Sequence, residues 1–177
     1  MLKYVTKAPI NQNDFIITSS GNIVSRSVEM KNAANVELPG GNVCIKDHVI
    51  LHGDNARIQI NSYTLIEERT EFLPPIHLDN KYIPQTIGKN TRIGSDCIIE
   101  SACIGVGCNI GNHCKLLPRS ILKDYVHVKD NTVISPDMVI PPFSIVEGIP
   151  GKIVGELPPS IPAISEHISF QRYQSFK

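Results

Sequence analysis

The sequence predicts an all-β fold: a single-stranded parallel β-helix of six-residue units with a C-terminal α-helix. Branched aliphatic residues recur at every sixth position in the second half of the chain, at Ile104, Ile110, Leu116, Leu122, Val128, Ile134, Ile140 and Val146. Small or β-branched residues stand two positions before most of them. Gly88, Gly94, Gly105 and Gly111 directly follow aliphatic residues, and Asn90, Asp96 and Gly107 lie three positions after one. We expect these residues to form the corners, because Gly, Asn and Asp tolerate a left-handed backbone. Because alternate residues of a strand share a face, each unit points one aliphatic and one small side chain inward and then turns. Three such units close a triangular coil, which is the hexapeptide β-helix pattern.

The aliphatic ladder extends back to the first coils, with a one-residue slip before Ile104 and two longer interruptions. Its earlier members are Ile45, Leu51, Ile60, Ile66, Phe72, Ile87, Ile93 and Ile99. The nine-residue step after Leu51 carries Gly53 and Asp54, which we interpret as a structural turn. The fifteen-residue step after Phe72 contains three prolines and predicts an excursion loop at about 73–85.

Both ends of the chain depart from the repeat, so we expect three segments. Residues 1–35 are predicted to form a lead-in and cap, and residues 36–157 the β-helix. Residues 158–177 are predicted to form a helical tail, because apolar residues there have roughly helical spacing with no Gly or Pro after Pro162.

Composition favours a globular, neutral protein. The 177 residues include 17 Lys+Arg and 17 Asp+Glu, so the net charge is zero. A neutral chain lacks the basic patch typical of nucleic-acid binding or attachment to anionic membranes, and it leaves association with other chains open. The sequence has no apolar run of transmembrane length, and its N-terminus lacks a signal-peptide pattern. We therefore expect a cytoplasmic protein with five free thiols, of which Cys44 and Cys103 face outward.

The histidines are the candidates for catalysis or metal binding in this fold. They are His48, His52, His77, His113, His127 and His167. A γ-class carbonic anhydrase needs three imidazoles converging on zinc, and a hexapeptide acyltransferase needs a His base beside a coenzyme A groove. No histidine pair has the zinc-site spacing. Neither His77 nor His113 is flanked by a carboxylate at a spacing that would indicate a catalytic base. We predict no catalytic residue, metal or cofactor; a homotrimeric enzyme of either class is the alternative.

One turn is similar to part of the γ-class anhydrases. The segment His52-Gly53-Asp54 resembles their Arg-Gly-Asp turn, in which the Arg and Asp organise the subunit interface. Here His52 stands in place of the Arg, whereas Asp54 is retained. The resemblance favours a structural turn over an enzyme-like trimer.

Segments at both ends of the repeat carry a more specific resemblance. Residues 18–26 read TSSGNIVSR, residues 140–151 read IPPFSIVEGIPG, and residues 155–158 read GELP. Together with the Gly53-Asp54 turn and the loop after Phe72, they resemble the dynactin subunit 5 family over nearly the whole chain.

The resemblance implies a left-handed β-helix with a non-catalytic role. Members of this family pair with a dynactin subunit 6-like β-helix chain. With an actin-related protein and a zinc-bearing dynactin subunit, they cap the pointed end of the dynactin filament and help dynein engage adaptors and cargo. This implies a cytoplasmic, cytoskeleton-associated protein without nucleic-acid partners or membrane insertion. The expected partner-binding residues are Pro75, Ile76 and Tyr82 in the loop, and Tyr173 and Phe176 in the helix.

Overall fold

The computed structural model describes residues 12–176, and short strands dominate this part of the chain. In chain order they are β1 (Phe15–Ile17), β2 (Ile23–Ser25), β3 (Glu29–Lys31), β4 (Val36–Glu37), β5 (Cys44–Ile45), β6 (Ile50–His52), β7 (Ile58–Ile60), β8 (Leu65–Ile66), β9 (Glu71–Phe72), β10 (Gln85–Ile87), β11 (Arg92–Ile93), β12 (Ile98–Ile99), β13 (Cys103–Ile104), β14 (Asn109–Ile110), β15 (Lys115–Leu116), β16 (Ile121–Leu122), β17 (His127–Val128), β18 (Val133–Ile134), β19 (Val139–Ile140), β20 (Ser144–Glu147) and β21 (Lys152–Glu156). Short 3-10 helices span Gln12–Asp14 and Ala33–Asn35, and helix α1 spans Ile161–Gln174.

The strands form the three faces of a left-handed parallel β-helix of about six coils, which confirms the predicted fold. Face one contains β2, β5, β8, β11, β14, β17 and β20. Face two runs from β3 to β18, and face three from β4 to β19, each taking every third strand. At the two ends of face one, β1 pairs antiparallel with β2, and β21 pairs antiparallel with β20.

The coils begin earlier than the sequence suggests. Strands β2 and β3 already lie in faces one and two, so much of the predicted 1–35 lead-in belongs to the first coil. Residues 1–11 of that segment lie outside the described residues. At the other end, α1 falls within the predicted tail. No helix among residues 12–176 has the length and apolarity needed to cross a bilayer.

The predicted aliphatic ladder forms the core. Its members from Ile45 to Val146 are at most 1% exposed, and like stacks on like, as in Ile93 on Ile110 and Ile110 on Val128. The small residues two positions earlier fill the remaining interior. At the one-residue slip in the repeat, the buried small residue is Ser101 rather than Ala102, because this unit is one residue shorter.

The left-handed backbone of the corners depends on the position in the repeat more than on the residue type. The third position after most ladder residues adopts a left-handed backbone, including the expected Asn90, Asp96 and Gly107. The same conformation occurs at less permissive residues, namely His48, Tyr63, Arg69, His113, Arg119, Tyr125 and Phe143. A left-handed L-residue costs about 1–2 kcal/mol. Hydrogen bonds between coils hold the corners, for example from Tyr125 N–H to the Val106 carbonyl at 2.7 Å.

The glycines that directly follow ladder residues serve a different purpose. Gly88, Gly94, Gly105 and Gly111 do not have left-handed backbones. They allow adjacent coils to approach closely: a Cβ on Gly94 would lie 2.4 Å from the Gly111 carbonyl oxygen. The expectation that these glycines serve as left-handed corners is therefore wrong.

The close approach at Gly94 predicts a position-specific cost for alanine. We expect Gly94→Ala to lower the free energy of unfolding by about 1–3 kcal/mol, because the facing backbone must shift. Gly155→Ala is the matched control, since its Cβ would meet only the Ile145 side chain at 3.4 Å. Denaturant unfolding of both variants measures the difference, and equal stabilities would contradict the close-approach role.

Candidate interaction surfaces

The excursion loop forms a small hairpin between faces two and three. Ile76 and Tyr82 form an antiparallel bridge, and Ile83 N–H donates to the Pro75 carbonyl at 2.7 Å. The bridged residues are 45% and 42% exposed, and Leu78 at the tip is 87% exposed. The loop therefore presents three apolar side chains to solvent on an internally hydrogen-bonded scaffold.

Arg119 holds this hairpin against the coils. Its Nη1 donates to the Ile76 carbonyl at 2.9 Å, while Nε and Nη2 donate to the two carboxylate oxygens of Asp137 at 2.6 and 2.7 Å. The hydrogen bond from Arg119 lowers the pKa of Asp137. Pro75 is buried, so it supports the hairpin from beneath rather than facing outward as the sequence suggested.

Removing this anchor should loosen the hairpin selectively. We expect Arg119→Ala to speed amide hydrogen exchange at 76–83, because the loop loses its link to the coil. Arg69→Ala is the matched control. Arg69 has the same left-handed corner and the same bidentate pairing, with Asp96, but within residues 12–176 it makes no hydrogen bond to the loop. Equal exchange in the two variants would show that Arg119 does not anchor the hairpin.

Helix α1 packs across the outside of face one. The Tyr173 hydroxyl donates to the Gly21 carbonyl at 2.6 Å, and Ser169 Oγ donates to the Asn90 carbonyl at 3.2 Å. Tyr173 is 4% exposed and packs with Ile23, Cys44 and Leu65. Phe176 is half-buried, with Lys46 Nζ 5.5 Å from its ring centroid.

This packing corrects two expectations. Tyr173 cannot face a partner while α1 is docked, because it is the helix's main anchor. Cys44 does point out of the coil, but α1 covers it and leaves it 2% exposed. Ile164 and Phe170 of the same helix remain 45% and 48% exposed.

The Tyr173 hydroxyl should contribute measurably to docking of the helix. We expect Tyr173→Phe to lower the free energy of unfolding by about 0.5–1.5 kcal/mol, because the Gly21 carbonyl loses a donor. Tyr63→Phe is the control, since the Tyr63 ring packs edge-on against Tyr173, but its hydroxyl has no hydrogen bond within residues 12–176. Denaturant unfolding provides the comparison, and an unchanged stability in Tyr173→Phe would refute this role.

A second group of exposed apolar side chains lies on the last coil and on β21. Val139, Ile149, Ile153 and Val154 are 54%, 74%, 50% and 54% exposed. Ile153 and Val154 belong to β21, which covers β20 and is itself exposed along most of its length. We call these four residues the end surface. Sequence reasoning did not single them out, because Ile153 and Val154 fall after the last repeat unit and have no inward register.

The Gly53-Asp54 turn packs tightly on the first coil. A Cβ on Gly53 would lie 2.7 Å from the Lys31 carbonyl oxygen, and Asn35 Nδ2 donates to the Gly53 carbonyl at 2.7 Å. Beside it, His52 Nε2 lies 2.7 Å from Glu71 Oε1. The contacts of this segment are therefore those of a packed turn.

The two histidines considered as catalytic bases each lie near one carboxylate. His77 Nδ1 lies 3.0 Å from Asp79 Oδ1, and His113 Nδ1 lies 3.9 Å from Asp96 Oδ2. The His77 pair, two residues apart, is one that sequence spacing did not reveal. Within residues 12–176, no three His, Cys, Asp or Glu side chains are grouped to hold a metal ion.

The coil geometry defines the class of the chain, a hexapeptide-repeat β-helix protein. Three comparisons with known proteins narrow it further. The chain belongs to the dynactin subunit 5 family, whose sequence pattern matches residues 5–177. Dynactin subunit 5 of Dictyostelium discoideum is 36% identical over 97 residues, which cover 53% of this chain and 48% of that protein. The match thus spans about half the length of this curated relative.

Solved structures share the fold at low sequence identity. AntD, an N-acyltransferase from Bacillus cereus in complex with dTDP and 3-hydroxybutyryl-CoA, is 15% identical with a TM-score of 0.69, covering 85% of this chain and 88% of its own. PerB from Caulobacter crescentus, in complex with CoA and GDP-perosamine, is 17% identical with a TM-score of 0.59, covering 76% and 57%. At these identities the likeness concerns the fold alone.

Proposed function

We propose that the chain is a non-catalytic structural subunit of the dynactin pointed-end complex that supports engagement of adaptors or cargo by dynein. The observation that carries this proposal is the family match over residues 5–177. Its partners are a dynactin subunit 6-like β-helix chain, the pointed-end actin-related protein and the zinc-bearing dynactin subunit. Its location is the cytoplasm, on the microtubule cytoskeleton.

The surfaces of the chain support an assembly role. The end surface exposes four apolar side chains on the last coil and β21, and the excursion loop exposes Ile76, Leu78 and Tyr82. Both are set on hydrogen-bonded backbone, so binding a partner would order few additional residues. Exposed apolar groups on a pre-ordered scaffold are typical of protein–protein contact sites.

No specific observation favours the enzyme alternatives. The acyltransferase likeness is one of fold, and the two histidines that could serve as bases, His77 and His113, have side chains 54% and 61% exposed. Each imidazole contacts one nearby carboxylate and lies on a loop or a corner. These positions support surface roles for both residues.

The first test is the composition of the native complex. The full chain, tagged and purified from its own cells at low salt, should co-purify with actin-related protein and a second hexapeptide chain by mass spectrometry. A homotrimer that carries stoichiometric zinc or coenzyme A would overturn the proposal.

Charge substitutions should locate the contact surfaces. We expect Ile153→Asp and Leu78→Asp to reduce recovery of other dynactin subunits by at least about tenfold, since a buried unpaired carboxylate is costly. Lys115→Asp, at an exposed position on face two, is the control and should retain them. Full recovery with both apolar variants would remove the end surface and the loop as contact sites.

A further inference from the structure

A cleft lies between α1 and face one. Its volume is about 130 Å³, and its apolar wall is formed mainly by Leu157, Ile161 and Ile164. Its polar wall contains Asn109, His127 and Arg172. Since one liquid water occupies roughly 30 Å³, the cleft has room for a small chemical group such as one side chain. We call it the helix cleft.

Arg172 is a partly buried cation without an acceptor. Within residues 12–176, its guanidinium has no hydrogen bond or ion pair, whereas the nearby carboxylates are already engaged. Glu67 pairs with Lys46 and with Arg92, the latter at 3.3 Å, and Glu68 pairs with Lys46 at 3.2 Å. Burial lowers the pKa of Arg172, and Arg92 lowers it further, while Glu67 opposes both. A desolvated guanidinium in this setting favours an anionic ligand.

Asn109, on the same polar wall, makes a hydrogen bond to His127. Its Nδ2 donates to His127 Nδ1 at 3.1 Å, so that imidazole acts as an acceptor. The Asn109 Oδ1 atom is buried and has no hydrogen-bond partner. Burial also lowers the pKa of His127, which keeps the imidazole neutral and able to accept this bond. Asn109 and His127 thus pair with each other, and Arg172 is the group on this wall that an entering ligand can pair with.

We infer that the helix cleft binds an acidic peptide segment of a partner protein. An Asp or Glu carboxylate accepts from Arg172, and a neighbouring apolar side chain packs on Ile161 and Ile164. A simple anion such as phosphate would satisfy Arg172 but leave the apolar wall uncovered. The apolar wall continues onto the helix surface through Ile164 and Ile168, which are 45% and 37% exposed. This inference rests on the proposed assembly function and assigns one contact within it.

Titration of the full chain with matched peptides tests the site. With isoleucine methyl groups labelled, acetyl-Leu-Glu-Leu-amide should produce saturable NMR shifts at Ile161, Ile164 and Ile168. The matched peptide acetyl-Leu-Gln-Leu-amide should bind at least about tenfold more weakly, because it lacks the charge that Arg172 pairs with. Equal binding of the two peptides, no saturable shift, or saturation by inorganic phosphate instead of the acidic peptide would overturn the inference.

Variants distinguish this site from the rest of the surface. Arg172→Gln should weaken the acidic peptide about tenfold, Arg172→Lys should retain part of the affinity, and the exposed Arg57→Gln should leave it unchanged. Ile164 is exposed, so Ile164→Ala should not disturb folding. This variant should also weaken binding of the acidic peptide, because the apolar wall loses part of its surface. If peptide binding fails while the unmodified chain still co-purifies with dynactin subunits, only the cleft inference falls. If the unmodified chain fails to co-purify, the proposed function falls whatever the peptide does.

Discussion

Hydrogen bonding between successive coils is the constraint on which the rest of the structure depends. Most strands contain only two or three residues, so none can satisfy its backbone within its own coil. Each coil donates to the next, as when Gly94 N–H bonds the Ile110 carbonyl at 3.0 Å and Gly111 N–H bonds the Val128 carbonyl at 2.8 Å. A coil is therefore stable only between neighbours, and the antiparallel strands β1 and β21 cover the two ends of face one.

The same constraint explains why corner residues are so varied. The left-handed turn is imposed by the need to bring the next ladder residue into register, so even bulky residues adopt it. Tyr125 and Phe143 occupy equivalent corners on adjacent coils, and their rings stack with centroids 5.3 Å apart. Such a pair contributes about 0.5–1.5 kcal/mol, which offsets part of the cost of two left-handed residues. Stacking between the side chains of equivalent corner residues thus offsets part of the backbone strain that the register of the core imposes.

The core could be predicted from the sequence, because the six-residue period of aliphatic residues identifies which side chains point inward. The loop at about 73–85 and the terminal helix could also be placed, since both break that period. What covers the outside could not be predicted. Tyr173 is 152 residues from Gly21 in the chain, and Arg119 is 43 residues from Ile76, and no local pattern announces either contact. For the same reason Pro75 and Cys44 looked exposed when they are buried.

The division between inside and outside also determines where function can lie. The ladder specifies only volume and shape, so a chain with 15% identity can share the coil. Distinct recognition must therefore come from features outside the repeat: the excursion loop, the end surface, and the helix with its cleft. In this chain each of these features exposes apolar groups, whereas the ladder residues are buried in the coil interior. The segments that depart from the hexapeptide repeat are consequently the places where specific binding of a partner can arise.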